Sequence, residues 1–173
     1  MDVLSHPNVA LKQTAEPVDP GNDSDLKDLC RRMAQAMYEA PGIGLAAPQL
    51  GILKRVIVYD LTEDNSGAVA LCNPEIVEAS DEVEIDDEGC LSLPGITVPV
   101  ERPSRVACEA LTLAGRKVRI EADGLHARLL QHEIDHLDGV LMIDRATPDE
   151  RRAALRRYVE AQLVGAKPGQ TSI

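Results

Sequence analysis

From about Asp25 to Ala40 the apolar residues Leu26, Leu29, Cys30, Met33, Ala36, Met37 and Ala40 recur three or four apart, the spacing that lines one face of a helix. Ser24 stands at the expected N-cap, and Pro41-Gly42 supplies a stop. A second outer helix is expected to open at Thr147-Pro148-Asp149-Glu150, where Thr147 and Glu150 have capping-box spacing and proline takes the first helical position. Its buried side is read as Ala154, Leu155, Tyr158, Val159 and Leu163. Between the two, the pattern shortens into runs rich in β-branched residues: Arg55 to Leu61, Ala68 to Cys72, Ile76 to Ala79, Val83 to Ile85, Val106 to Leu113 and Arg116 to Glu121. Leu113-Ala114-Gly115-Arg116 reads as a hairpin turn. A further helix, about Leu125 to Leu137, follows the last run, with Leu125, Leu129, His132 and His136 on one stripe expected to face the interior. The connections are too short for repeated strand-helix-strand crossovers, so the predicted class is α+β, with antiparallel sheets packed around this central helix and a helix near each terminus. Residues 1–164 are expected to form one domain and 165–173, polar and broken by Pro and Gly, a flexible tail.

Composition changes the picture in three ways. Phe and Trp are absent and Tyr38, Tyr59 and Tyr158 are the whole aromatic complement, so the core must be aliphatic. The net charge of −11 argues against a broad phosphate-binding surface, and no direct nucleic-acid role is expected. A transient ribosome contact through Arg151, Arg152, Arg156 and Arg157 is the one exception considered, against the more ordinary reading of a solvated helix face. The start, MDVLSHPNVALK, has no basic region followed by an apolar run, and no stretch reaches membrane-spanning length, so a cytoplasmic location without membrane contact is expected. Cys30, Cys72, Cys90 and Cys108 are widely spaced and expected to be thiols.

The chemistry concentrates in His132-Glu133-Ile134-Asp135-His136. Histidines four apart project from one helical face and can share an ion, while the glutamate beside the first can reach a water on that ion. Two buried histidines satisfied by hydrogen bonds would be the plain alternative, but the complete pattern on an apolar stripe favours metal. A catalytic site needs a third protein ligand. Asp144 and Glu150 lie downstream at no recognised spacing; Cys90, in Glu88-Gly89-Cys90-Leu91-Ser92-Leu93-Pro94, is the other candidate, with a buried packing cysteine as its alternative reading.

Three segments together resemble the peptide deformylases in order and spacing: Gly42-Ile43-Gly44-Leu45-Ala46-Ala47-Pro48-Gln49, Glu88-Gly89-Cys90-Leu91-Ser92, and Gln131-His132-Glu133-Ile134-Asp135-His136. His6-Pro7 and Glu16-Pro17-Val18 extend the likeness toward the N-terminus. The resemblance implies a metal-dependent hydrolase that removes the N-formyl group from the formylmethionine of nascent polypeptides and releases formate. It assigns Cys90, His132 and His136 to one divalent ion, Fe(2+) in the family, with Zn(2+), Ni(2+) or Co(2+) as substitutes. It further implies Glu133 as acid and base, Gln49 and the Leu91 backbone N–H as oxyanion donors, and Ile43, Gly44, Leu91, Leu125, Leu129 and His132 around the substrate. Glu88 and Arg102 match a supporting ion pair behind the cysteine loop. Thr97 stands where some members carry an arginine, which concerns the hold on the downstream peptide and leaves the chemistry untouched. Two other functions are weighed beside this one: a metallopeptidase, which leaves Gln49 and the cysteine motif unexplained, and a closed structural site on a protein that binds nascent chains.

Overall fold

The computed structural model describes residues 2–169. Helix α1 (Leu26–Glu39) is followed by strands β1 (Gly44–Ala46), β2 (Val56–Tyr59), β3 (Val69–Ala79), β4 (Val83–Gly89), β5 (Thr97–Pro103), β6 (Arg105–Leu111) and β7 (Lys117–Asp123). Helices α2 (Gly124–Leu137), α3 (Met142–Arg145) and α4 (Pro148–Leu163) complete the order, with short 3-10 turns at Val9–Lys12 and Ala47–Leu50. All strand pairing is antiparallel: a five-stranded sheet runs β1-β2-β3-β6-β7, and β4 and β5 form a separate hairpin. The α+β class is as expected.

Three aliphatic clusters hold these layers. One joins the five-stranded sheet to α2 through residues such as Ile57, Leu71, Cys108, Leu129, Leu130 and Leu137. A second packs α1 on β1 and β2 through Leu26, Met33, Met37, Leu45 and Val58. The third seats the β4–β5 hairpin against α3 and α4 through Leu93, Val98, Val100, Met142 and Tyr158. Helix α2 thus lies between the sheet and the hairpin, which is what allows side chains from both to converge on it.

Several local expectations are corrected. Asp25, not Ser24, is the N-cap of α1, and its side chain makes no capping bond. The runs Ala68 to Cys72 and Ile76 to Ala79 are one strand, bent at an irregularity where Asn73 takes φ +49°. Leu125 is 53 % exposed, because α2 starts directly from β7, the outermost strand of the sheet, and its first turn projects past the packed layers. On α4 only Ala154 and Tyr158 are buried; Val159 and Leu163 are exposed. The hairpin turn holds, with Gly115 at φ +75°.

The N-terminus of α4 is capped as predicted: Glu150 N donates to the Thr147 hydroxyl at 3.3 Å and Thr147 N donates to Glu150 Oε2 at 3.0 Å. Thr147→Ala should lower stability by about 1 kcal/mol, seen as a melting shift of roughly 2–4 °C. At the chain's end Ala166 N donates to Ala161 O, and Gly169 lies beside the Ala40 carbonyl. Residues 170–173 of the expected tail lie outside the described residues.

Candidate metal centre

Gly89 ends β4, and Cys90 follows it onto a tight bend in which Leu93 N donates to Cys90 O. The bend aims Cys90 at the face of α2 that carries His132 and His136. One ligand atom from each of the three lies within 4.8 Å of the others, and all three residues are buried. His132 Nε2 and His136 Nε2 are 3.2 Å apart, and Cys90 Sγ is 3.4 Å from His136 Nε2. Sulfur and imidazole are a donor set suited to zinc or ferrous iron. Asp144 is engaged with Lys12 and Arg151, and Glu150 caps α4, so neither of the other sequence candidates reaches the histidines.

The remaining cysteines differ in kind. All four are free, but burial pushes the Cys30 thiol up to about 12 and those of Cys72 and Cys108 up to about 11, so these three stay protonated packing residues.

Around the triad the charges are fixed from outside. His132 Nδ1 donates to Glu88 Oε2 at 2.8 Å, which leaves Nε2 as the atom facing the cysteine. Burial alone would protonate Glu88, but hydrogen bonds from His132 and Arg102 more than offset it and hold the carboxyl well below its ordinary range. Arg102 reaches Glu88 at 2.8 and 3.0 Å and Asp135 at 2.7 Å; Asp135 in turn accepts from Arg145. Glu88 is fully buried and Arg102 is 4 % exposed, so the pair is an interior support and not a surface contact. His132 itself is drawn toward protonation: burial favours the neutral ring, and Cys90 and Glu88 overcome that. His136 is pushed the other way, well below the ordinary imidazole range, chiefly by burial.

The open side of the triad is a slot of about 10 Å³ lined by Ile43, Gly44, Gln49, Gly89, Cys90, Leu91, His132 and Glu133. That is room for about one water-sized group. Glu133 is 5 % exposed, burial pushes its carboxyl up to about 7, and its Oε2 has no hydrogen-bond partner among the described residues. A carboxyl poised near neutrality can both take and return a proton. Gln49 Oε1 accepts from Ala46 N at 2.9 Å, which fixes the orientation of the carboxamide. Its Nε2 then lies 3.1 Å from the Ser92 hydroxyl and 3.7 Å from Cys90 Sγ.

A matching family model, described as polypeptide deformylase, covers residues 1–152. The chain belongs to the polypeptide deformylase family. A peptide deformylase from Thermodesulfovibrio yellowstonii is 45 % identical over 160 residues, covering 91 % of this chain and 96 % of its own. The crystal structure of a peptide deformylase from Legionella pneumophila superposes with a TM-score of 0.88 at 38 % identity, over 94 % of this chain and 95 % of that one. One from Synechococcus elongatus, in complex with actinonin, gives 0.85 at 44 % identity over 90 % and 86 %. The enzyme is accordingly a metal-dependent hydrolase that removes the N-formyl group from nascent polypeptides.

Of the residues singled out from sequence, Ile43, Gly44, Gln49, Cys90, Leu91, His132 and Glu133 meet at the slot, with His136 behind them. Leu125 and Leu129 do not line it: Leu129 is buried in the cluster beneath the sheet and Leu125 sits on the exposed first turn. Sequence reasoning assigned no role to Ser92, which accepts from Gln49 Nε2 at 3.1 Å, or to Asp135, which accepts from Arg102 Nη1 at 2.7 Å.

Gly44 is required by space. A Cβ there would overlap Glu133 Oε1 and stand 2.9 Å from Glu133 Cδ. The displaced carboxylate would have to swing away from this position into the slot it lines, so Gly44→Ala should reduce kcat/KM by at least ~100-fold. Metal content should be unchanged, and both are measured on the same purified protein.

Proposed function

We propose that Cys90, His132 and His136 hold one divalent ion, ferrous iron by family resemblance, and that the residues lining the slot carry the deformylation of N-terminal formylmethionine. The reading is carried by one observation: a buried carboxylate, an oriented carboxamide and two of the three triad residues, Cys90 and His132, open onto one slot of water size, with His136 behind them. When bound, the ion supplies Lewis acidity and a water acidified toward neutrality.

The chain's own groups do the rest. Glu133 takes a proton from the attacking water through its unpartnered Oε2 and later delivers it to the leaving amine. As the formyl carbon becomes tetrahedral its oxygen gains negative charge, which in this reading the Gln49 carboxamide and the Leu91 backbone N–H receive. Water adds across the C–N bond, and the products are formate and a free methionine amine. The backbone of Ile43 and Gly44, next to the open edge of β1, admits substrate as an added strand. Leu91 and His132 bound the first side chain. Gly42 is part of the same fit, since a Cβ there would come within 2.8 Å of Leu91 Cδ1.

The partners in this reading are formyl-methionyl nascent chains in the cytoplasm, where translation supplies them. For a transient ribosome contact the support is the outer side of α4, where Val159 and Leu163 are exposed beside Arg152 and Arg156. Residues 1–164 act as one catalytic domain. Formate release from formyl-Met-Ala-Ser is the test, using protein purified without oxygen and loaded in turn with iron, nickel or zinc. Metal-dependent formate is expected. Folded, metal-loaded protein that releases none with any ion would overturn the assignment.

A further inference from the structure

Arg128 has no place in the reading so far, yet it is 6 % exposed, in the middle of the protein. A guanidinium taken out of water is unfavourable by several kcal/mol unless its donors are matched. Here Nη1 donates to Glu88 Oε1 at 2.9 Å and to Val100 O at 2.8 Å, while Nη2 donates to Glu84 O at 3.0 Å. All three acceptors belong to the β4–β5 hairpin, whereas Arg128 belongs to α2, one turn before His132.

This matters because the triad is split between those two elements. Cys90 is carried by the end of β4, and His132 and His136 by α2. The hairpin and helix are separate layers, so the distance from sulfur to imidazole depends on their relative register and rotation. Arg128 ties the first half of the helix to two carbonyls and a carboxylate of the hairpin. It also fills the second acceptor position on Glu88 Oε1, beside Arg102 Nε, which leaves Oε2 to Arg102 Nη2 and the His132 ring.

We propose that Arg128 is a positioning residue for the metal centre: it locks the Cys90-bearing hairpin against the histidine-bearing helix and fixes the Glu88 carboxylate that orients His132. The inference rests on the triad being the metal site. Only a planar fork serves a carboxylate and two carbonyls in these directions at once, so lysine should substitute in part.

The test is cobalt(II) binding, followed by its visible absorption and by chelator competition, on Arg128→Met and Arg128→Lys beside the unaltered protein. Leu26→Ala, in the core of α1, serves as a control for loss of stability alone. Arg128→Met should bind cobalt about 10–100-fold more weakly with a changed spectrum, as loss of a group supporting a ligand does. Arg128→Lys should fall between, and Leu26→Ala should melt lower while keeping affinity and spectrum. Unaltered affinity and spectrum in Arg128→Met would overturn the proposal. If that variant does not fold, wild-type values in Arg128→Lys would do the same. Unaltered protein that binds no cobalt would overturn the metal reading itself, an outcome set apart because all variants would then match it.

Discussion

Glu133→Gln is expected to lower kcat by roughly 10²–10⁴-fold while leaving metal content and affinity for formyl peptide in place. The glutamine has the same shape but cannot carry the proton between the water and the leaving amine. The same substitution should make the metal-free protein more stable. Burial raises the Glu133 carboxyl from 4.5 to about 7, and a carboxyl raised in the folded state gives its full contribution below its unfolded value and loses it as the pH climbs through the folded one. Metal-free protein should therefore lose up to about 3 kcal/mol between pH ~4.5 and pH ~7 from this group. Glutamine has no proton to lose, so metal-free Glu133→Gln should be the more stable at pH 8 and close to the unaltered protein at pH 5. Groups remote from Glu133 titrate equally in both proteins and cancel in the difference, while His132 and Glu88, whose charges act on Glu133, add only a smaller term than its burial. Urea unfolding at the two pH values reads this directly; parallel pH dependence would mean that Glu133 ionises in the fold without hindrance, and the proton-shuttle role would lose its physical basis.

The two outcomes belong together: a carboxyl that shuttles protons must be held where ionisation is disfavoured, at the expense of stability. The sequence placed this residue by its neighbours and could not assign its burial. A periodic stripe says which face of a helix is apolar, and only the packed layers decide whether anything covers it. Leu129 and His132 are covered by the sheet and hairpin; Leu125, Val159 and Leu163, on equally regular stripes, are not. Strand β5 escaped notice because Pro99 and Pro103 interrupt it and Arg102 takes the inward position after Val98 and Val100, a pattern that reads as loop. Asn73-Pro74 marked a boundary where the chain only bends.

The candidate site was legible to a different depth at each shell of contact. His132, Glu133 and His136 stand in one local motif, so spacing and residue type were enough to propose them; Cys90 by position alone read as a packing cysteine, and the resemblance assigned it to the ion. Arg128 and Asp135 act through partners far along the chain, and no local rule marks an arginine that will meet the carbonyls of Glu84 and Val100. Ser92 lay inside a quoted motif, but its bond to Gln49 joins residues 43 apart in sequence and needed the fold. The same holds for the N-terminal segment, where Leu4 N donates to Gln49 O and His6 N to Ser92 O, bracketing the two loops that carry Gln49 and Cys90.

Cys90→Ala is expected to lose metal by more than the ~10–100-fold that removal of a supporting group brings about, because it takes away one of three protein ligands and the only sulfur among them. Cys90 is also a packed residue, 3 % exposed against Leu93, Val98 and Tyr158, so a loss of metal alone would not separate ligation from collapse of the bend. Cys30→Ala makes the separation. Cys30 is similarly buried at 5 %, and its thiol, pushed up to about 12 by burial, is no ligand. Both truncations remove one sulfur from an aliphatic cluster and should lower stability alike, by about 1 kcal/mol. Metal content after dialysis should fall in Cys90→Ala alone. Equal retention in the two variants would make Cys90 a packing cysteine, and the histidines would then need a different third ligand.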